Sequence, residues 1–96
     1  MEKELVKNFK VFSDENRMEI VELLLKGETC GCTLIDKLDI SQPTLSYHLK
    51  YITSSGLATT RRDGNWIKYT IDRSKINDMI KYLEQLRDME STTCSL

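Results

Sequence analysis

The sequence predicts a mainly α-helical domain carrying one β-hairpin, in the order helix-helix-helix-helix-strand-strand-helix. Three observations predict it. Apolar residues recur at helical spacing before residue 55 and again over 73–90. Between those regions, from Leu57, the period shortens to alternation, and "LATTRR" and "WIKYTI" flank the turn residues "DGN". A chain of 96 residues, 40% hydrophobic and 30% charged with one proline, also has the size and composition of one globular domain. We place that domain at 1–90 and a short polar tail at 91–96.

Residues 3–12 read as a short helix, with too few apolar positions to define a face. Ser13 reads as the N-cap of the next helix, with Asp14 and Glu15 in its first turn, where carboxylates favour the positive helix end. On that helix, 14–25, Arg17, Ile20, Val21 and Leu24 share one face, and Gly27 ends it. A third helix covers roughly 31–38 with Leu34, Ile35 and Leu38 inward. After the break "DIS", Ser41 caps a helix of about 42–54. Pro43 is tolerated in its first turn because the missing N–H would be unpaired there anyway. Leu45, Leu49 and Ile52 form its buried face, while Pro43, Ser46, Tyr47 and Lys50 point the other way. In the second strand Ile67, Tyr69 and Ile71 share one face and Trp66, Lys68 and Thr70 the other. Over 73–90, Ile76, Met79, Ile80, Leu83 and Leu86 trace a last apolar stripe.

A net charge of -1 hides an asymmetry: -3 over residues 1–40, +3 over 41–73 and -1 over 74–96. The positive segment holds the fourth helix and the hairpin. Local potential, more than the total, governs approach to a polyanion. The N-terminal "MEKELVKNF" is charged and helical in pattern, unlike a secretory leader, and no apolar run is long enough to span a membrane. We therefore expect a cytoplasmic protein whose three cysteines serve as thiols, not as a disulfide framework.

Two short helices joined by a tight break and followed by a basic hairpin form a winged helix-turn-helix. A helix fits the major groove of DNA, and a hairpin carrying arginines reaches phosphates or the adjacent minor groove. On the helix, Gln42, Thr44 and Ser46 offer uncharged donors and acceptors, Tyr47 a hydroxyl and a flat face, and Lys50 a charge for phosphate. Arg61, Arg62 and Lys68 supply the hairpin's charge. The alternative for these cations is an ordinary solvated surface, disfavoured by their coincidence with an uncovered helix face. His48 lies nearer the buried stripe, and a hydrogen-bonded structural role competes with a DNA contact. The last apolar stripe needs a partner, and packing against the first helix and a second subunit matches two-fold DNA sites.

The stretch "LDISQPTLSYHLKYITSSGLATTRRDGNWIKYTI" resembles the signature of the arsenic- and metal-sensing winged-helix repressors of the ArsR/SmtB family, and the likeness covers nearly the whole chain. It implies that Gln42, Pro43, Thr44, Ser46 and Tyr47 occupy DNA-contacting positions. Tyr47 replaces the histidine often found there. The family also implies a homodimer, built through the N- and C-terminal helices, on double-stranded operator DNA.

The segment "ETCGCTL" places Cys30 and Cys32 one residue apart at a helix start. Two thiolates form a soft ligand set, suited to As(III), Sb(III) or another soft metal ion. Residues two apart on a regular helix differ by about 200° and do not face each other. Convergence therefore requires a non-helical first turn, for which Gly31 offers backbone freedom. The alternative is two small buried hydrophobes. Arsenic-responsive members of the family resemble this chain in carrying such a pair at the start of the third helix. Several add a third cysteine, where this chain has Ile35. Cys94 is a candidate third ligand. No histidine lies on the last helix and no cysteine precedes Cys30, which the resemblance reads against zinc and against cadmium or lead.

The expected function is a homodimeric repressor released from DNA by As(III) or Sb(III), or by trivalent organoarsenicals, bound at Cys30 and Cys32. No catalytic residue or catalytic cofactor is expected. Two rival readings stay open: a redox- or sulfide-responsive repressor of the same fold, and a protein-interaction module that does not bind DNA.

Overall fold

Seven elements follow one another in the predicted order in the computed structural model, which describes residues 2–91. They are α1 Glu2–Val11, α2 Glu15–Leu25, α3 Gly31–Lys37, α4 Gln42–Ser54, β1 Ala58–Asp63, β2 Trp66–Ile71 and α5 Arg73–Arg87.

Local chemistry sets each boundary. The N-cap of α2 is Asp14, not Ser13. The N–H groups of Phe12 and Ser13 still bond back to the carbonyls of Phe9 and Lys10, so the chain is finishing α1 until Ser13. Asp14 is then the first extended residue, and its carboxylate accepts the Arg17 N–H at 3.1 Å. That N–H, above all, holds the Asp14 carboxyl below the ordinary aspartate pKa. At the other end Gly27 takes φ +109°, Glu28 N–H reaches Leu23 O and Gly27 N–H reaches Leu24 O, a Schellman closure. The Ser41 side chain caps α4 by accepting from Thr44 N, with Pro43 in the first turn as expected.

The hairpin pairs Ala58 with Ile71 through Asp63 with Trp66, leaving the two-residue turn Gly64–Asn65. Gly64 has φ +64° and Asn65 does not enter the left-handed region, the pattern of a type II′ turn.

The predicted helical stripes meet in one core. Ile20, Val21 and Leu24 of α2, Leu34 of α3, Leu45, Leu49 and Ile52 of α4, and Leu38, Leu57 and Ile71 from the connections and wing base are all buried together. The hairpin's apolar face is covered only at its base. Ile71 is buried and Tyr69 half-buried, but Ile67 is exposed, because β2 runs out past the helices. Helix α5 packs on α1 through the Phe9 and Tyr82 rings, 5.9 Å apart, and through the Glu4–Lys75 ion pair. Of its stripe, Met79 is buried, whereas Ile80, Leu83 and Leu86 stay 43–53% exposed. Among the described residues no helix is long and apolar enough to cross a membrane.

Candidate nucleic-acid interface and thiol pair

Burial of Leu45, Leu49 and Ile52 leaves the opposite side of α4 open. Gln42, Pro43, Ser46, Tyr47 and Lys50 are exposed there, Tyr47 by 60%. Thr44 is only half-exposed, and its hydroxyl accepts from Ser41 Oγ at 2.9 Å, so part of its hydrogen-bonding capacity serves the cap. The exposed residues of α4 share a surface of short polar groups with one cation, a composition suited to base edges and phosphates.

On the wing the predicted cations separate. The register puts Arg61 opposite Lys68 and Arg62 opposite Ile67, so Arg61 and Lys68 share one face and Arg62 lies on the other. Like charges directly across strands repel. Asp63 relieves this in part, its Oδ2 standing 3.4 Å from Lys68 Nζ. A phosphate would do the same for Arg61.

His48 is buried and belongs to a network centred on Arg17. The Arg17 guanidinium lies 4.0 Å over the Tyr51 ring, Nε donates to Val11 O, Nη2 donates to Lys10 O, and Nη1 donates to His48 Nδ1 at 3.4 Å. A guanidinium can only donate, so Nδ1 is the accepting atom of that contact, and Nε2 lies 3.8 Å from Asp14 Oδ1. This arginine closes the C-terminal carbonyls of α1 and ties that helix to α4. The sequence carried one signal of it, an arginine at the apolar spacing of Ile20, Val21 and Leu24. Its partners were not legible.

Cys30 and Cys32 are joined in a disulfide, with their Cα atoms 5.3 Å apart. A ring over one intervening residue staples no distant parts of the chain together. Nor is the first turn loosened as expected. Gly31 is the first residue of α3, at a conformation other residues share, and an added Cβ would make only ordinary contact with Leu49. The sulfurs converge because Cys30 is the N-cap, extended at φ -106° and ψ 137°, and so lies off the helical screw. The 200° objection applies only when both residues are on the helix.

The same extension places the pair against the wing. Cys30 forms an isolated antiparallel bridge with Lys68, and Tyr69 N–H donates to Thr29 O at 2.9 Å, which holds the extended Thr29–Cys30 segment beside β2. Ile35, at the position of a third cysteine, packs on the core. Cys94 lies outside the described residues. Among the described residues no cluster of three His, Cys, Asp or Glu side chains offers a metal cage.

Comparison with known proteins bears on these features together. Residues 14–60 match the family described as bacterial regulatory proteins of the arsR family. The chain is 43% identical over 81 residues to the arsenical resistance operon repressor of Staphylococcus aureus, covering 84% of this chain and 78% of that one. It is 40% identical over 91 residues to the repressor of the same description from Staphylococcus xylosus, covering 95% and 84%. Among solved structures, the ArsR-like transcriptional regulator from Rhodococcus sp. RHA1 superposes with a TM-score of 0.76 at 28% identity, over 88% of this chain and 79% of that one.

Proposed function

Because this chain belongs to the arsR family of bacterial regulatory proteins, which are non-catalytic DNA-binding transcription factors, we propose that it is a homodimeric operator-binding repressor that As(III) or Sb(III) releases through Cys30 and Cys32. One observation carries the inducer reading: the two sulfurs converge at the start of α3, where Cys30 is bridged to the wing, shortly before α4. A trivalent arsenical held by both thiolates must hold the sulfurs farther apart than a sulfur–sulfur bond does. Moving Cys30 displaces Thr29 and β2, and moving Cys32 tilts α3 against Leu49 of α4. Both reading elements are then disturbed from one site. Tenfold loss of DNA affinity requires only about 1.4 kcal/mol of coupling.

The exposed Ile80, Leu83 and Leu86 of α5 and Val6 of α1 support the dimer, since large apolar side chains left uncovered on two packed helices offer an interaction surface. The third donor to arsenic is water, hydroxide, an organic substituent, Cys94 or Cys94 of the partner subunit. In this reading residues 1–90 act as one DNA-binding and dimerisation domain. Gln42, Pro43, Thr44, Ser46, Tyr47 and Lys50 face the major groove, and Arg61, Arg62 and Lys68 reach the backbone.

The test is C30S/C32S. The double variant should keep its DNA affinity and lose release by arsenite; release that persists would remove the pair from the mechanism. The disulfide favours a second reading, in which a two-electron oxidant converts the two thiols to the bond and takes up two protons. Peroxide releasing DNA where arsenite fails would select it.

A further inference from the structure

We propose that α1 is part of the DNA-facing surface, with Lys7 and Lys10 gripping backbone phosphate beside the groove that α4 enters. The inference rests on α4 being the recognition helix and adds contacts on an element of the chain that no reading of the motif includes.

A groove of about 390 Å³ opens between α1 and α4. Lys7 and Lys10 form one wall, Lys50 and Ser54 the other, and Tyr47 and Tyr51 the floor, their rings 6.3 Å apart. Three ammonium groups line it and no carboxylate does. All three lysines are exposed, and among the described residues none has an ion-pair partner. Helical spacing explains how an acidic segment presents this face. Lys3, Lys7 and Lys10 fall at i, i+4 and i+7, one stripe of α1. Glu4 lies off that stripe and is held by Lys75 of α5, which keeps its carboxyl below the ordinary glutamate pKa and its charge away from the groove.

The placement is fixed by a buried joint. Arg17 donates to Lys10 O and Val11 O on one side and stacks on Tyr51 beside His48 on the other. The backbone of Lys10 is therefore locked relative to α4, and its ammonium stands with that of Lys50 on one side of the molecule. Such a row of unpaired cations continuing a helix's open face suits the charge repeat of a duplex backbone. Phosphate carries no sequence information, so these contacts add affinity and register without base preference.

The experiment compares wild type with K7Q/K10Q on two labelled duplexes: the DNA immediately upstream of this protein's own coding sequence, and a scrambled duplex of the same composition. Affinity is measured across a salt series. Each lost phosphate contact lowers the slope of log K against log [salt] by about 0.9, so the double variant, which removes two contacts from each protomer of the dimer, should lose about 3.6 from the slope. It should weaken on both duplexes by the same factor. Circular dichroism and sedimentation establish that fold and assembly match wild type. An unchanged slope overturns the inference while leaving the DNA-binding reading intact. So does an unchanged slope combined with a lost response to inorganic phosphate, which would make the groove a small-anion site. Wild type that binds neither duplex in a salt-dependent way overturns the DNA-binding reading itself.

Discussion

Helices α4 and α5 are similar in length, 13 and 15 residues, and each carries an apolar stripe at helical spacing. They end in opposite states. Leu45, Leu49 and Ile52 of α4 are at most 5% exposed, whereas Ile80, Leu83 and Leu86 of α5 are about half exposed. The difference is one of neighbours. α4 is enclosed by α2, α3 and the base of the wing, so its own chain completes the core. α5 packs chiefly on α1, with Ile76 reaching the edge of the core. One helix stabilises the fold of a single chain, and the other becomes useful when a second chain covers it.

Substitutions on the two stripes should therefore act on different measurements. The largest effect is expected from Leu83→Glu. Placing a charge on the uncovered face should leave the chain folded but monomeric by sedimentation. Joining two half-site contacts raises affinity on the order of 10²- to 10⁴-fold, and that gain should vanish. A variant that stays dimeric with full DNA affinity would break the comparison. Next is Leu45→Ala, where a buried leucine surrounded on all sides is truncated. Denaturant unfolding should show a loss of about 2–5 kcal/mol. If Leu83→Ala destabilised the monomer equally, the two stripes would not differ in kind.

Asp14→Ala sharpens the picture at smaller scale, since Asp14 caps α2 and faces His48 of α4. The cap should contribute about 1 kcal/mol. Because the folded-state pKa is lowered, this contribution is fully present above the ordinary aspartate value of about 3.9. It fades as pH falls below that value through the lowered one. Stability of the variant should thus converge on wild type in acid, and a constant difference down to the lowest pH would assign the effect to something other than the carboxylate. The smallest effect is expected from Gly31→Ala. Its Cβ meets Leu49 at 3.8 Å without crowding, so α3 should gain under about 1 kcal/mol and the inducer response should survive. Loss of that response with the fold intact would restore a need for backbone freedom between the cysteines.

The order of elements, the core of α2 and α4 and the outward residues of the reading helix were legible because each depends on local periodicity. Leu45, Leu49 and Ile52 can share a face on a helix in only one way, and "DGN" between alternating runs has few other uses. The cap of α2 was misplaced by one residue because Ser13 is chemically suited to the position. Only the lingering last turn of α1 excludes it. The cations of the wing were legible as a group, and alternation divides Arg61 from Arg62, but which of the two shares a face with Lys68 followed from register, which pairs Lys68 with Arg61.

The thiol pair divides along the same line. By itself the sequence determined that two soft donors stand one residue apart at the start of a short helix, ahead of a recognition helix and a basic hairpin. It did not determine how they meet. Tertiary structure did that by holding Thr29 and Cys30 extended against Tyr69 and Lys68, which takes one sulfur off the helical screw. It also brought Lys7 and Lys10, from the most acidic third of the chain, alongside Lys50. Periodicity is a property of neighbours in sequence and can be read there. Which charges share a surface depends on how helices pack, and here a single buried arginine fixes that packing.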